Sequence, residues 1–500
     1  MGRALREAPL NLPLESVAGR KRKPRRCPAG GPGSFCGWVT KNSTGRSSSK
    51  PLLLWIQGGP WKSSLFSQFL ENGPLGINAT GSLYYRNHSL LRDFNLIYLD
   101  HPVGSGYSFD DNDRYPGTLD EASEQALTFL KRFLRLFPEY KRKEFYIAGE
   151  SYGARSSVGV AYKVLKKHKQ IDLKLKGAML GVGFVFPLLE LLNSTDYLFY
   201  SGLLGDFGRR TFAGWFDMIK GLVDQKHYSK ATEDLNRIVL NQAPPGNMTV
   251  FEYLTGFRHH GSIARPQEPD EVEWYMEYAN SENFKKIIHV NVSRVLDGCR
   301  PLLTKELING DFYVDVKKKL EYVLNSTHVL FYTAQYDAVF PEINIESCFQ
   351  KLRWYASHHF LKVKRKPWFV QGNRSLPLLG YERITGTLLY TNILWGGHDV
   401  SLDRPATRTP GDKGKHGPVA RGVRLDDWLA LARWIPCRPV VPSRSPTTAQ
   451  LWPTGLVLRH LLPSAPYDDD SVALANWISP TPSPVADKSS RQWCPVLGLL

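Results

Sequence analysis

The feature that most constrains this chain is an alternation of short, wholly apolar runs with segments of helical periodicity. Pro51-Leu52-Leu53-Leu54-Trp55-Ile56-Gln57 and Asn95-Leu96-Ile97-Tyr98-Leu99-Asp100 are too short for helices and too continuously apolar for strands with one wet face. Each reads as a strand buried on both sides. Residues 144–148, 174–180, 329–332 and 390–394 read the same way. Between them, residues 119–137 set Ala122, Ala126, Phe129, Leu130 and Phe133 on one helical face. A second helix is expected over 152–167. A shorter one is expected over 63–72, with Ser63 or Ser64 as its cap. Strands alternating with helices predict an α/β fold with a mainly parallel sheet covered on both faces.

The pattern changes twice along the chain. Residues 184–325 read as helices and polar loops without strand alternation, which suits a helical cap inserted into the sheet domain. The expected organisation is therefore a core over 36–183, a cap over 184–325 and a second core segment over 326–405. Residues 1–35 form a basic, Pro/Gly-rich arm expected to be disordered. Residues 406–500 hold 13 of the 34 prolines and are expected to be irregular, with a short helix at most over 425–434. Charge follows the same division. The net charge of +17 includes +9 from residues 1–50 and +4 from 406–500, leaving +4 for the whole body. A nucleic-acid-binding domain would carry its basic stripe on folded surface, so no nucleic-acid partner is expected. No run of 18 apolar residues occurs, so no membrane span is expected.

Gly149-Glu150-Ser151-Tyr152-Gly153 fits G-x-S-x-G and falls between an expected strand and an expected helix. That context is what a nucleophile elbow requires: a tight turn lifts the serine hydroxyl above the sheet edge, at the positive end of the next helix. A serine hydroxyl needs a base to take its proton. His398, in Gly396-Gly397-His398 after an expected strand, is the candidate base. Asp337, after the strand at 329–332, is the candidate to orient the imidazole. The order Ser, Asp, His is that of the α/β-hydrolase fold. No cysteine or histidine cluster has metal-ligand spacing, and neither a metal nor an organic cofactor is expected. The six cysteines do not reveal a pairing.

Several motifs in register resemble the serine carboxypeptidase family, nearest its vitellogenic-like branch. They are Trp55-Ile56-Gln57-Gly58-Gly59-Pro60, the stretch from Asp100 to Ser108, Phe137-Pro138-Glu139-Tyr140, Phe145 to Tyr152, Ile287-Ile288-His289-Val290, and Gly396-Gly397-His398 with Asp403 and Pro405. The resemblance covers about residues 35–405. It implies removal of C-terminal residues from peptides, so the expected partner is a peptide with a free C-terminus. It also implies an oxyanion hole from the N–H groups of Gly59 and Tyr152, and carboxylate recognition by Gln57, Gly58 and Glu150. A carboxyl that shares a proton with the substrate carboxylate works best at acidic pH.

Four departures stand against the resemblance. Trp61-Lys62 occupies a turn where the family has small residues, and a positive φ at Trp61 would shift the oxyanion loop. Gly153-Ala154 inverts the usual Ala-Gly and is expected to be tolerated. Val182 replaces a common Asp or Asn, with loss of a polar contact beneath the site. A strand's worth of sequence is missing between Thr44 and Lys50, and the chain after Pro405 no longer resembles the family. Two other readings therefore stay open: an esterase or acyltransferase on the same core, and a catalytically silent binding glycoprotein.

Glycosylation sequons at Asn42, Asn78, Asn87, Asn193, Asn247, Asn291, Asn325 and Asn373 exceed chance. They predict a secreted or lysosomal glycoprotein, although residues 1–30 hold no apolar signal segment.

Overall fold

The computed structural model describes residues 37–41, 50–86, 89–239, 248–288, 290–296, 301–369, 374–375, 377–403 and 457–461. All of them fall in one of the chain's two compact units. The arm at 1–35, the short helix expected at 425–434, the gap at 44–50 (apart from Lys50), His289, Pro405 and sequons Asn42, Asn87, Asn247 and Asn373 lie outside the described residues.

The strands in chain order are β1 (Gly37–Lys41), β2 (Leu52–Ile56), β3 (Leu75–Ile77), β4 (Leu83–Tyr85), β5 (Asn95–Leu99) and β6 (Glu144–Glu150). They continue with β7 (Lys174–Gly181), β8 (His328–Ala334), β9 (Lys366–Phe369), β10 (Leu378–Thr385), β11 (Leu388–Ile393) and β12 (Val457–Leu461). Ten of them form one sheet in the order β12-β1-β5-β2-β6-β7-β8-β11-β10-β9, and β3 pairs with β4 separately. From β5 to β11 every neighbouring pair is parallel; β1, β12, β10 and β9 extend the edges antiparallel. This is the α/β-hydrolase fold, a mainly parallel sheet flanked by helices.

Why apolar runs become central strands follows from their alternation. Leu52, Leu54 and Ile56 enter one core, while Leu53 and Trp55 enter the other. The next strands divide in the same way, with Ile97 and Leu99 opposite Leu96 and Tyr98, and Phe145 and Ile147 opposite Tyr146 and Ala148. Two helices cover the first core. α1 (Leu119–Leu136) is capped by the Thr118 hydroxyl, which accepts from Glu121 N–H, and α2 (Tyr152–Lys166) runs beside it.

Between β7 and β8 the described residues form helices and loops and no strand. The segment returns to the sheet through a buried ion pair. Arg155 of α2 donates from Nε and Nη2 to the Asp311 carboxylate at 2.8 and 2.9 Å, and Tyr152 Oη donates to the same group at 2.8 Å. Both charges are removed from water (0% and 1% side-chain exposure), so each depends on the other.

Two expectations need correction. The tail is not wholly irregular: β12 lies within 406–500 and pairs antiparallel with β1. The helix expected over 63–72 is a short α-turn that widens into a π-turn at Ser67–Glu71. Ser63 Oγ does accept from Leu65 N–H.

Candidate active site

Ser151, Asp337 and His398 follow β6, β8 and β11, three parallel strands, at their C-terminal ends. The crevice outside those ends is where open α/β sheets bind ligands. Ser151 adopts φ 55° and ψ −123°, a left-handed conformation that costs about 1–3 kcal/mol in a non-glycine residue. The neighbourhood enforces it. Ser151 N–H donates to Gly181 O at 2.9 Å, and its own carbonyl accepts from Phe184 N–H at 3.0 Å and Ala154 N–H at 3.1 Å. Gly153 permits the close packing of elbow on sheet, since a Cβ there would stand 2.1 Å from Ile56 O. Ala154 is buried without conflict, as expected.

The three side chains converge. Ser151 Oγ stands 2.9 Å from His398 Nε2, and His398 Nδ1 stands 2.9 Å from Asp337 Oδ2. The other Asp337 oxygen accepts from Val339 N–H at 2.8 Å and Phe340 N–H at 2.9 Å, so the carboxylate also fixes its own turn. Burial alone would lower the His398 pKa, but the adjacent Asp337 carboxylate outweighs it and the net shift is upward. The Phe340 ring meets the imidazole edge-on, with centroids 5.3 Å apart.

His398 is held from the helical segment. Its N–H donates to Gly261 O at 2.7 Å, and Ile263 N–H donates to Tyr336 O at 3.0 Å, beside Asp337. Gly397 N–H donates to Asp403 Oδ2 at 2.7 Å, and Asp403 pairs with Arg265 at 2.5 Å.

Gln57, Gly58, Gly59 and Glu150 line one pocket with Ser151 and His398, and Lys62 and Asp399 complete the wall. Tyr152 heads α2, where its N–H is one of the helix's uncommitted first donors; its side chain instead points to Asp311. Gln57 is fixed by Ser67 Oγ, which donates to Oε1 at 2.8 Å, and its Nε2 approaches Glu71 Oε1 at 3.4 Å. Glu150 accepts from Tyr332 Oη at 2.7 Å. The Glu71 and Glu150 carboxyls are neighbours, and the Oε2 of each finds no hydrogen-bond donor among the described residues. Burial, then Asp399, raises the Glu71 pKa to about 7. Burial, then Glu71, raises Glu150 well above its usual range. A proton shared by the two carboxyls is the arrangement such burial favours.

Sequence reasoning missed Glu71. The available signal was a lone carboxylate closing the otherwise apolar stretch of Leu65, Phe66, Phe69 and Leu70.

The cost expected at Trp61 does not arise. Positive φ falls on Gly59 (116°), not on Trp61, whose indole is buried at 8% exposure. Val182 also carries a backbone burden that the sequence did not suggest. Val182 is fully buried in the core with Tyr332 and Trp55 and takes φ 38°, which is unusual for a β-branched residue. Its N–H is held by Tyr332 O at 2.8 Å.

A sheet of this order, with a serine, an imidazole and a carboxylate in hydrogen-bond contact at its rim, defines a serine hydrolase of the α/β-hydrolase class. The serine carboxypeptidase profile matches residues 36–409, and the chain belongs to that family. Serine-type carboxypeptidase hydrolysis is thus its function. The chain is 29% identical over 392 residues to venom serine carboxypeptidase of Apis mellifera, covering 74% of this chain and 82% of that one. It is 26% identical over 419 residues to "Probable serine carboxypeptidase CPVL" of Homo sapiens, covering 79% and 87%. Among solved structures it is similar to Kex1(delta)p, a prohormone-processing carboxypeptidase from Saccharomyces cerevisiae, with TM-score 0.61 and 16% identity over 78% of this chain and 87% of that one. The last likeness shows the fold.

Proposed function

We propose that Ser151 is the nucleophile of this carboxypeptidase, His398 its general base and then acid, and Asp337 the group that orients His398. Ser151 Oγ attacks the last peptide carbonyl while His398 Nε2 takes its proton. That proton then passes to the departing amino acid, and water releases the acyl group by the same route. The N–H groups of Gly59 and Tyr152 receive the developing oxyanion. The observation that carries this reading is the pair of 2.9 Å contacts that link Oγ through the imidazole to Asp337.

The peptide's terminal carboxylate is read by Gln57, Gly58 N–H and Glu150, with Glu71 as proton partner of Glu150. An ionised Glu pair would repel that carboxylate; a protonated one can donate to it. Because burial keeps Glu71 protonated up to about pH 7, binding belongs on the acid side of neutrality. Residues 184–325 act as a cap over this pocket.

A secreted or lysosomal glycoprotein fits the described sequons, since Asn78, Asn193, Asn291 and Asn325 are all exposed. Asn325 is the least suited to carry a glycan, because its Nδ2 already donates to Glu321 O at 2.8 Å. No helix among the described residues is long and apolar enough to cross a membrane.

The test is fluorophosphonate labelling at Ser151, together with turnover of an N-blocked dipeptide and of its C-terminal amide. Rapid labelling and preference for the free acid are expected. A protein that labels but turns over esters without regard to a free carboxylate is instead an esterase or acyltransferase. One that does not label is catalytically silent.

A further inference from the structure

Of the pair that departs from the family pattern, Trp61 is accounted for by core packing, whereas Lys62 has a different setting. Lys62 is half-buried and lines the pocket that also holds Gln57, Glu150, Ser151 and His398. Its stem passes beside Gly59: Cγ lies 3.4 Å from the place a Cβ at Gly59 would take. Its Nζ stands 4.8 Å from the centroid of the Phe66 ring, at the foot of the turn that carries Ser67 and Glu71. A cation so placed over an aromatic face is favoured and kept from wandering.

The surrounding charge makes this position consequential. The pocket wall contains Glu150, which is buried, and Asp399, which is half-buried, and Glu71 lies behind Glu150. Burial works against ionisation of Asp399, but Lys62, then His398 and His259, hold its pKa below the usual value. The pocket therefore keeps one ionised carboxylate beside the place a peptide terminus must enter. Among the described residues lining the pocket, Lys62 is the one with a permanent positive charge. Remove it and an anionic terminus meets an anionic wall in a poorly solvated site, where like charges repel strongly.

We propose that Lys62 is a specificity-determining residue whose ammonium group receives the free carboxylate of the peptide's last residue, alongside Gln57 and the Glu71–Glu150 pair. This inference rests on the carboxypeptidase reading and adds to it a fixed cation. The turn displaces small residues in favour of a side chain that supplies recognition through charge, in addition to recognition through a shared proton.

The experiment uses the full-length protein and two substrates, an N-blocked dipeptide and its C-terminal amide. The readout is the ratio of their kcat/KM values. In Lys62→Met, which keeps the stem against Phe66, this ratio falls about tenfold or more, mainly through KM for the free acid. Lys62→Arg restores most of the ratio, and Lys62→Gln provides a second removal of charge if the Met variant folds poorly. A ratio that stays at the wild-type value in both uncharged variants overturns the proposal. So does an equal fall on both substrates, which would assign Lys62 to the shape of the oxyanion loop. Wild-type protein that turns over neither substrate overturns the carboxypeptidase reading itself, and the two failures are thereby told apart.

Discussion

Ser151 and His398 lie in contact, yet the two are held by different means. The serine is positioned from within the sheet. Its strained backbone is fixed by bonds to Gly181 and Phe184, and by the close approach of Gly153 to Ile56 on the neighbouring strand. The histidine sits on a loop whose main chain is bound by Gly261 O, a carbonyl from the segment between β7 and β8. A second tie from that segment, Arg265, reaches Asp403 and through it Gly397. Half of the Ser151–His398 contact is thus a property of the sheet, and the other half depends on a long-range contact with the helical insertion.

The comparison can be broken or sharpened by experiment. The largest effect is expected at Ser151, the proposed nucleophile. Ser151→Ala lowers kcat/KM for an N-blocked dipeptide by about 10³-fold or more without weakening resistance to urea. Next comes the bridge between the two regions. Arg155→Met leaves Asp311 charged and buried, and costs about 3–5 kcal/mol in urea unfolding. A milder loss, about 2–3 kcal/mol, follows Gly153→Ala, whose methyl meets Ile56 O, with activity falling alongside stability. On the histidine side the pattern should reverse. Arg265 is one-third exposed, so Arg265→Met costs little stability yet lowers kcat about tenfold by loosening the loop. Equal effects of the last two variants on stability and rate would erase the distinction between the regions.

The smallest effect is a pH limb. Glu71 has a folded pKa raised to about 7, so its favourable protonated state is complete below its ordinary value near 4.5 and is lost as pH rises through 7. KM for free-acid peptides should therefore climb above about pH 7, while KM for the amide stays flatter. Parallel curves for the two substrates would detach the Glu pair from carboxylate binding.

The sequence showed the central strands because residues buried on both faces leave an unbroken apolar record, as in Leu52–Ile56 and Asn95–Leu99. It concealed β9 and β10 because those strands lie toward the sheet's edge, where Lys366 is exposed, Tyr381 and Glu382 are only half-buried, and the apolar pattern is interrupted. The convergence of Ser151, Asp337 and His398 could be anticipated because glycines, strand ends and chain order each leave local marks. Glu71 could not be assigned so readily, because a glutamate on a short helix is ordinarily solvated and only its tertiary partners reverse that expectation. The Gly261 carbonyl left no mark at all. A main-chain acceptor has no identity in the sequence, so a bond that spans more than a hundred residues through backbone atoms alone is visible only in the fold.

That bond has a consequence for how the molecule fails when warmed. Local opening costs least in loops and most in core strands and helices, so a loop-rich insertion can open while the sheet stays folded. If the insertion loosens first, the imidazole loses its anchor while the sheet is still folded. Catalysis would then fade at a temperature where calorimetry still finds most of the unfolding heat unabsorbed, and gentle cooling would restore it.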